Sequence, residues 1–116
     1  MKSLRVKRVY DVPLPDDGVR VLVDRLWPRG LKREVSKIDL WLKAVAPSDG
    51  LRRWFGHEPR RWPEFQKRYG AELAKNAEHV AVLRELIKGR KPVTLLYAAK
   101  DIEHNNAIVL RDFLLP

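Results

Sequence analysis

Leu4, Val6 and Val9 interleave with Arg5, Lys7 and Arg8, and Tyr10 closes the run. That period of two predicts a half-buried strand with one wet face. The following stretch, DVPLPDDG from Asp11 to Gly18, is dense in turn residues, and Pro13 and Pro15 forbid regular pairing. Val19 to Asp24 is then a compact apolar run interrupted only by Arg20, the pattern of a central strand. The loop joining the two strands is short. It can close a hairpin, or hold one helical turn in a tight parallel crossover, and the pattern admits both.

Past Gly30 the pattern predicts a short helical turn, then an apolar stretch from Ile38 to Val45 of undecided type, ended by Pro47. Ser48 is a good N-cap for a short helix through Leu51, Trp54 and Phe55, and Gly56 stops it. Two clearer helices follow. Pro63 suits a first turn, and Trp62, Phe65, Tyr69 and Leu73 make one apolar stripe. Asn76 separates this from a second amphipathic helix carrying Val80, Leu83, Leu86 and Ile87, which ends before Gly89. Pro92 opens an almost wholly apolar strand, Val93 to Ala99, as expected of a strand covered on both faces. Asp101 is placed to cap a last helix with Ala107, Leu110 and Leu114 on its apolar side. The predicted class is α/β: one compact domain over residues 1–116, with a small, mainly parallel sheet packed by helices.

Composition narrows the function classes. No apolar run approaches the ~18 residues of a membrane span, so no membrane partner is expected. Charges interrupt the N-terminal MKSLRVKRVYD, which therefore has no signal-peptide core. Cytoplasm is the expected address. The chain has no cysteine, which removes disulfides and thiol catalysis. A net charge of +9, from 24 Lys and Arg against 15 Asp and Glu, favours anionic partners such as nucleic acid or phosphate esters. The charge is spread along the chain, so a folded patch fits better than a basic tail. Oligomeric state is left open.

In α/β sheets, ligands sit beyond the carboxyl ends of the strands. Two such ends are visible: Val19–Asp24 leads into Arg25, Trp27 and Arg29, and Val93–Ala99 leads into Lys100 and Asp101. If the two strands are parallel neighbours, Arg25, Arg29 and Lys100 meet a helix N-terminus near residues 102–106, the recipe for an anion site. Asn105 joins that candidate anion-binding set. Each also has a plainer reading: the arginines can brace the loop, Lys100 can be a solvated charge, and Trp27 can be core or lid. Candidate acid–base groups are Asp24, Asp101, Tyr97, His57 and His104. His104 falls in the expected first turn of the last helix, where the macrodipole disfavours protonation. The histidines lack metal-ligand spacing, so no metal site is expected. No serine elbow and no phosphate-binding glycine loop is present, and no cofactor is implied.

The segments VLVDRLWPRGL, LRRWFGHEPRRWPEFQKRY and VTLLYAAKDIEHNNAIVL resemble the domain of unknown function 488 family, in its YeaO-like branch. The resemblance covers essentially the whole chain. It implies a bacterial or archaeal cytoplasmic α/β domain of about this size, and it brings no established activity. Relatives outside this branch carry a Cys-His-Arg-like cluster after the last strand. Tyr97 and Asn105 stand at the Cys-like positions here, so thiol chemistry does not transfer. Two functions stay in view: a module binding a phosphorylated or anionic ligand, nucleic acid included, and an enzyme acting on a small anionic substrate. A protein-interaction role is the third, given four tryptophans that form either core or surface.

Overall fold

The interleaved first run forms β1 (Leu4–Arg8), and the apolar run after Gly18 forms β2 (Val19–Leu22), in a computed structural model describing residues 4–115. Residues 1–3 and 116, at the two ends of the expected domain, lie outside the described residues. A two-residue strand, β3 (Leu40–Trp41), and the apolar β4 (Val93–Tyr97) complete one sheet in the order β1-β4-β2-β3. Every pairing is parallel. Leu4 stands opposite Val93 on one side of β4, and Val19 stands opposite Val93 on the other. The first connection is therefore no hairpin. It is a crossover holding one 3-10 turn, Pro15–Asp17, and the last strand inserts between the first two.

Gly18 makes that crossover tight. Its φ is +65°, and a Cβ there would lie 2.1 Å from the Pro92 carbonyl oxygen. The same oxygen accepts the Val19 N–H at 2.9 Å, so β2 and β4 start in register at this contact. Beside it the buried Asp17 carboxylate accepts from the Arg20 guanidinium, Lys7 Nζ at 3.1 Å and the Leu14 N–H at 3.0 Å. Burial raises its pKa, but these bonds outweigh the burial and hold the group below the ordinary range. The Arg20 guanidinium also donates to the Ser36 carbonyl at 2.9 Å. Removing Asp17 would leave the buried Arg20 charge without its carboxylate, whereas removing Arg20 would leave Asp17 with Lys7 as its cationic partner.

Five helices surround the sheet: α1 (Arg33–Ser36), α2 (Asp49–Phe55), α3 (Trp62–Ala74), α4 (Ala77–Lys88) and α5 (Asn106–Leu114). Ser48 caps α2, its hydroxyl accepting the Leu51 N–H at 3.2 Å, and Gly56 ends it at φ +52°. Along α3 and α4 the apolar stripe turns inward: Phe65, Tyr69, Leu73, Val80 and Leu83 are buried. They pack with Val21, Leu95 and Leu110 on one face of the sheet, the larger core. The opposite face carries Leu22 and Leu96. It is covered by Trp27, Leu31 and Ile38 from the long connection after β2 and by Trp41 of β3. This two-sided cover explains why β4 reads as continuous apolar sequence and is buried throughout. The Cα radius of gyration is 13.5 Å, close to the ~13 Å of a compact domain of this length. Among the described residues, no helix is long and apolar enough to cross a membrane.

Candidate functional site

Parallel pairing sends the carboxyl ends of β2 and β4 to the same edge of the sheet. The chain leaving β2, the chain leaving β4 and the loops flanking α2 together enclose a cavity of about 500 Å³. That is within the ~300–1,000 Å³ of small-molecule sites. Phe55, Phe65 and Pro47 are buried in its inner wall, with Trp27 beside them. Arg29, Arg52, Arg53 and Tyr10 are exposed around it.

Asp24 is the half-buried acid of this cavity. Its Oδ2 accepts the Ala98 N–H at 2.9 Å, and the Asn106 amide lies near the same carboxylate and favours its charged form. Asn106 Nδ2 donates to the Val23 carbonyl at 3.0 Å, and the Trp41 indole donates to the Asp24 carbonyl at 2.8 Å. Burial pushes the Asp24 carboxyl above the usual carboxylate range, and the Ala98 bond, the Asn106 amide and the nearby His57 only partly oppose it. Arg25 does not neutralise it directly: its Nε donates to the Pro47 carbonyl at 3.0 Å and its Nη2 lies 3.5 Å from that of Ala46. Arg29 differs. Its guanidinium has no partner among the described residues, while its carbonyl accepts the Tyr10 hydroxyl at 2.8 Å.

Lys100 lines an adjoining hollow of about 440 Å³ with His57, Ala98, Ala99 and Asp101. His57, Ala98 and Ala99 border both spaces. The expected arginines and lysine therefore share one edge of the fold but not one chamber. His57 follows the left-handed Gly56 with a left-handed backbone of its own, φ +59°. Histidine tolerates that region better than most residues, yet it is uncommon there. The double turn reverses the chain after α2 and sets the ring at the boundary of the two spaces.

The last helix begins later than its sequence pattern predicts. Asp101 does not cap it: its Oδ1 accepts the N–H groups of Glu103 at 2.9 Å and His104 at 3.0 Å, forming a local turn. These backbone bonds, with the contact to His104, hold the Asp101 carboxyl below its ordinary range. Asn105 is the cap, its Oδ1 accepting the Ile108 N–H at 3.1 Å and its Nδ2 donating to the Asp101 carbonyl at 3.0 Å. His104 thus precedes the helix, and the macrodipole argument does not reach it. Its Nδ1 lies 2.9 Å from Asp101 Oδ2, and its ring meets Trp62 edge-on at 5.1 Å. His104 and Asn105 line the main cavity, although the Asn105 amide is occupied within the protein. Tyr97 is buried in β4, lines neither space, and contacts Asn105. Burial raises its phenol, and Asp11 and Asp101 add to that rise. Among the described residues, no group of three or more acidic or histidine side chains could hold a metal ion.

A family model for the inactive DUF488-N3 subclade, DUF488-N3i, matches residues 3–116. The chain belongs to this family. It is similar to the uncharacterized protein Rv3073c of Mycobacterium tuberculosis, with 45% identity over 111 residues, 96% of this chain and 92% of that protein. It is also similar to the uncharacterized protein YeaO of Escherichia coli, with 43% identity over 112 residues, covering 97% and 96% of the two. No solved structure matches it. In this DUF488-N3i chain, Tyr97 is enclosed in the core and Asn105 is bound into a helix cap.

Sequence reasoning named Asp24, Arg25, Arg29, His57, His104 and Asn105 as candidates without placing all six together; it is the structure that lines one cavity with them, while Lys100 and Asp101 line the adjoining hollow. Sequence reasoning missed Arg52, Arg53, Phe55, Pro47 and Asn106. The paired arginines of α2 directly precede the WFGH stretch, and that adjacency was the available signal for them. Asn106 had none, because a helix start two residues from His104 gives no hint of contact with Val23, just past β2.

Proposed function

We propose that this DUF488-N3i protein binds a phosphorylated or otherwise anionic small molecule in the cavity at the carboxyl ends of β2 and β4. The observation that carries the reading is Arg29, a guanidinium without a partner among the described residues, at the edge of a formed cavity. Arg52 and Arg53 stand at the same cavity, sharing the Asp49 carboxylate at 2.6 and 3.1 Å. A planar guanidinium offers paired N–H donors that match phosphate or carboxylate oxygens. Lys100 adds positive charge in the neighbouring hollow, and the net charge of +9 draws anions to the whole molecule. A concave chamber with apolar walls suits a small ligand better than a nucleic-acid strand, which needs an open basic face.

The test is a calorimetric titration with ribose 5-phosphate, inorganic phosphate and a short oligonucleotide at low and moderate salt. One saturable site for ribose 5-phosphate, weakened about tenfold or more by Arg29→Ala, agrees with the proposal. An oligonucleotide bound with a steep salt dependence and no such site would instead mark a nucleic-acid surface. Absence of binding by all three would refute the anion reading.

A second reading is acid–base catalysis. It is favoured by one observation, the gathering of a carboxyl raised by burial, Asp24, with His57 and His104 on one cavity. The description of the family as an inactive subclade and the absence of cysteine weigh towards binding without turnover.

A further inference from the structure

Resting on the anion-site reading, we infer that the ligand is a nucleotide whose base sits in the apolar part of the cavity with an N–H edge on Asp24. An ionised carboxylate offers about four lone-pair positions, and among the described residues only the Ala98 N–H donates to that of Asp24. Its neighbour Arg25 is held on the Pro47 and Ala46 carbonyls. The cavity therefore contains an acceptor that the protein leaves incompletely matched, and such a group calls for donors from whatever enters.

The donor must be uncharged. A cationic ligand would meet Arg25, Arg29, Arg52 and Arg53 around the same space. A sugar hydroxyl could serve the acid, but it would leave Leu26, Trp27, Pro28, Pro47, Phe55 and Phe65 facing a polar group. A flat heterocycle satisfies both demands, covering the apolar wall with its faces and presenting N–H groups at its edge. Its phosphate then belongs to the arginines, with Arg29 the open one. Guanine fits this acceptor best among the common bases, because its ring N–H and amino group are adjacent and both donate. Xanthine has the same shape but carries a carbonyl oxygen where guanine carries the amino group, and that oxygen would oppose Asp24.

The experiment titrates the whole protein with guanosine, xanthosine and adenosine monophosphates and with ribose 5-phosphate. The expected order places guanosine monophosphate at least about tenfold tighter than the other three, the discrimination of one hydrogen-bonded edge over a mismatched one. Asp24→Asn, which can donate as well as accept, should reverse the guanosine-to-xanthosine order. The wild-type ratio decides the matter even if the variant folds poorly. Equal affinities for all four, with Arg29→Ala still abolishing binding, would overturn the base assignment and leave the anion site standing. Adenosine monophosphate binding as tightly as guanosine monophosphate would also overturn it. No binding by any of the four would overturn both readings.

Discussion

Replacing Gly18 by alanine tests whether the register of the central strands is fixed where the fold places it. The residue stands at φ +65° and ψ −131°, a backbone region open to glycine at a cost of ~1–3 kcal/mol for other residues. The new Cβ would lie 2.1 Å from the Pro92 oxygen and 2.8 Å from its carbonyl carbon. These are backbone atoms that open β4, so no rotamer change relieves the clash. Moving them apart resembles overpacking, ~1–3 kcal/mol. Stiffening of the unfolded chain returns ~0.4–1 kcal/mol. The net loss is ~2–5 kcal/mol. With ~2.1 cal/mol/K of unfolding entropy per residue, 116 residues give ~240 cal/mol/K, or ~4 °C per kcal/mol. Tm should fall by ~8–20 °C in a thermal melt followed by circular dichroism. Gly70→Ala is the matched control: it lies inside α3, and its Cβ would meet nothing within 4 Å. Better helix propensity should raise its Tm by ~2–4 °C. A Gly18→Ala protein melting within 2 °C of the parent, or both variants shifting the same way, would refute this account of the register.

Two further outcomes follow from the interior. Tyr69 is fully buried and donates to the Val45 carbonyl at 2.5 Å, and burial raises its phenol so that it stays a neutral donor. Tyr69→Phe should cost ~1–3 kcal/mol in urea unfolding with unchanged m-value; a neutral result would mean that this bond contributes nothing. For Asp24 the sign is opposite to that of a salt-bridged acid. Its folded pKa is raised, chiefly by burial, so its stabilising contribution is complete below the unfolded value of ~3.9 and is lost as pH rises through the folded value. Asp24→Asn should therefore gain stability relative to the parent as pH increases from ~4 to 7, and a difference independent of pH would contradict the shift.

The helices were legible because their signals are local. Ser48 and Gly56 bracket α2, and the stripe of Phe65, Tyr69 and Leu73 needs only the period of a helix. Strand pairing was not local. Whether β1 and β2 formed a hairpin depended on β4, more than seventy residues later, entering between them. β3 was hidden because two residues, Leu40 and Trp41, carry no period of their own. The start of α5 was misplaced because Asp101 and Asn105 are both good caps, and only the competing turn onto Glu103 and His104 decides between them. The cavity residues were half legible for the same reason. Asp24 and Arg29 follow a strand that the sequence announces, whereas Arg52 and Asn106 reach the cavity from elements placed by tertiary packing.

The cross-links around Asp24 also bear on the entropy of binding. Arg25 ties the exit of β2 to the carbonyls ahead of α2, Asn106 ties the start of α5 to Val23, and the Ala98 N–H ties the exit of β4 to Asp24. Four separate chain segments are thus fastened to one another before anything enters. A ligand would have no loop to order, and the ~0.5–1.5 kcal/mol for immobilising a side chain would apply mainly to exposed arginines such as Arg29 and Arg53. If the proposed ligand enters there, it meets a cavity whose walls are already joined.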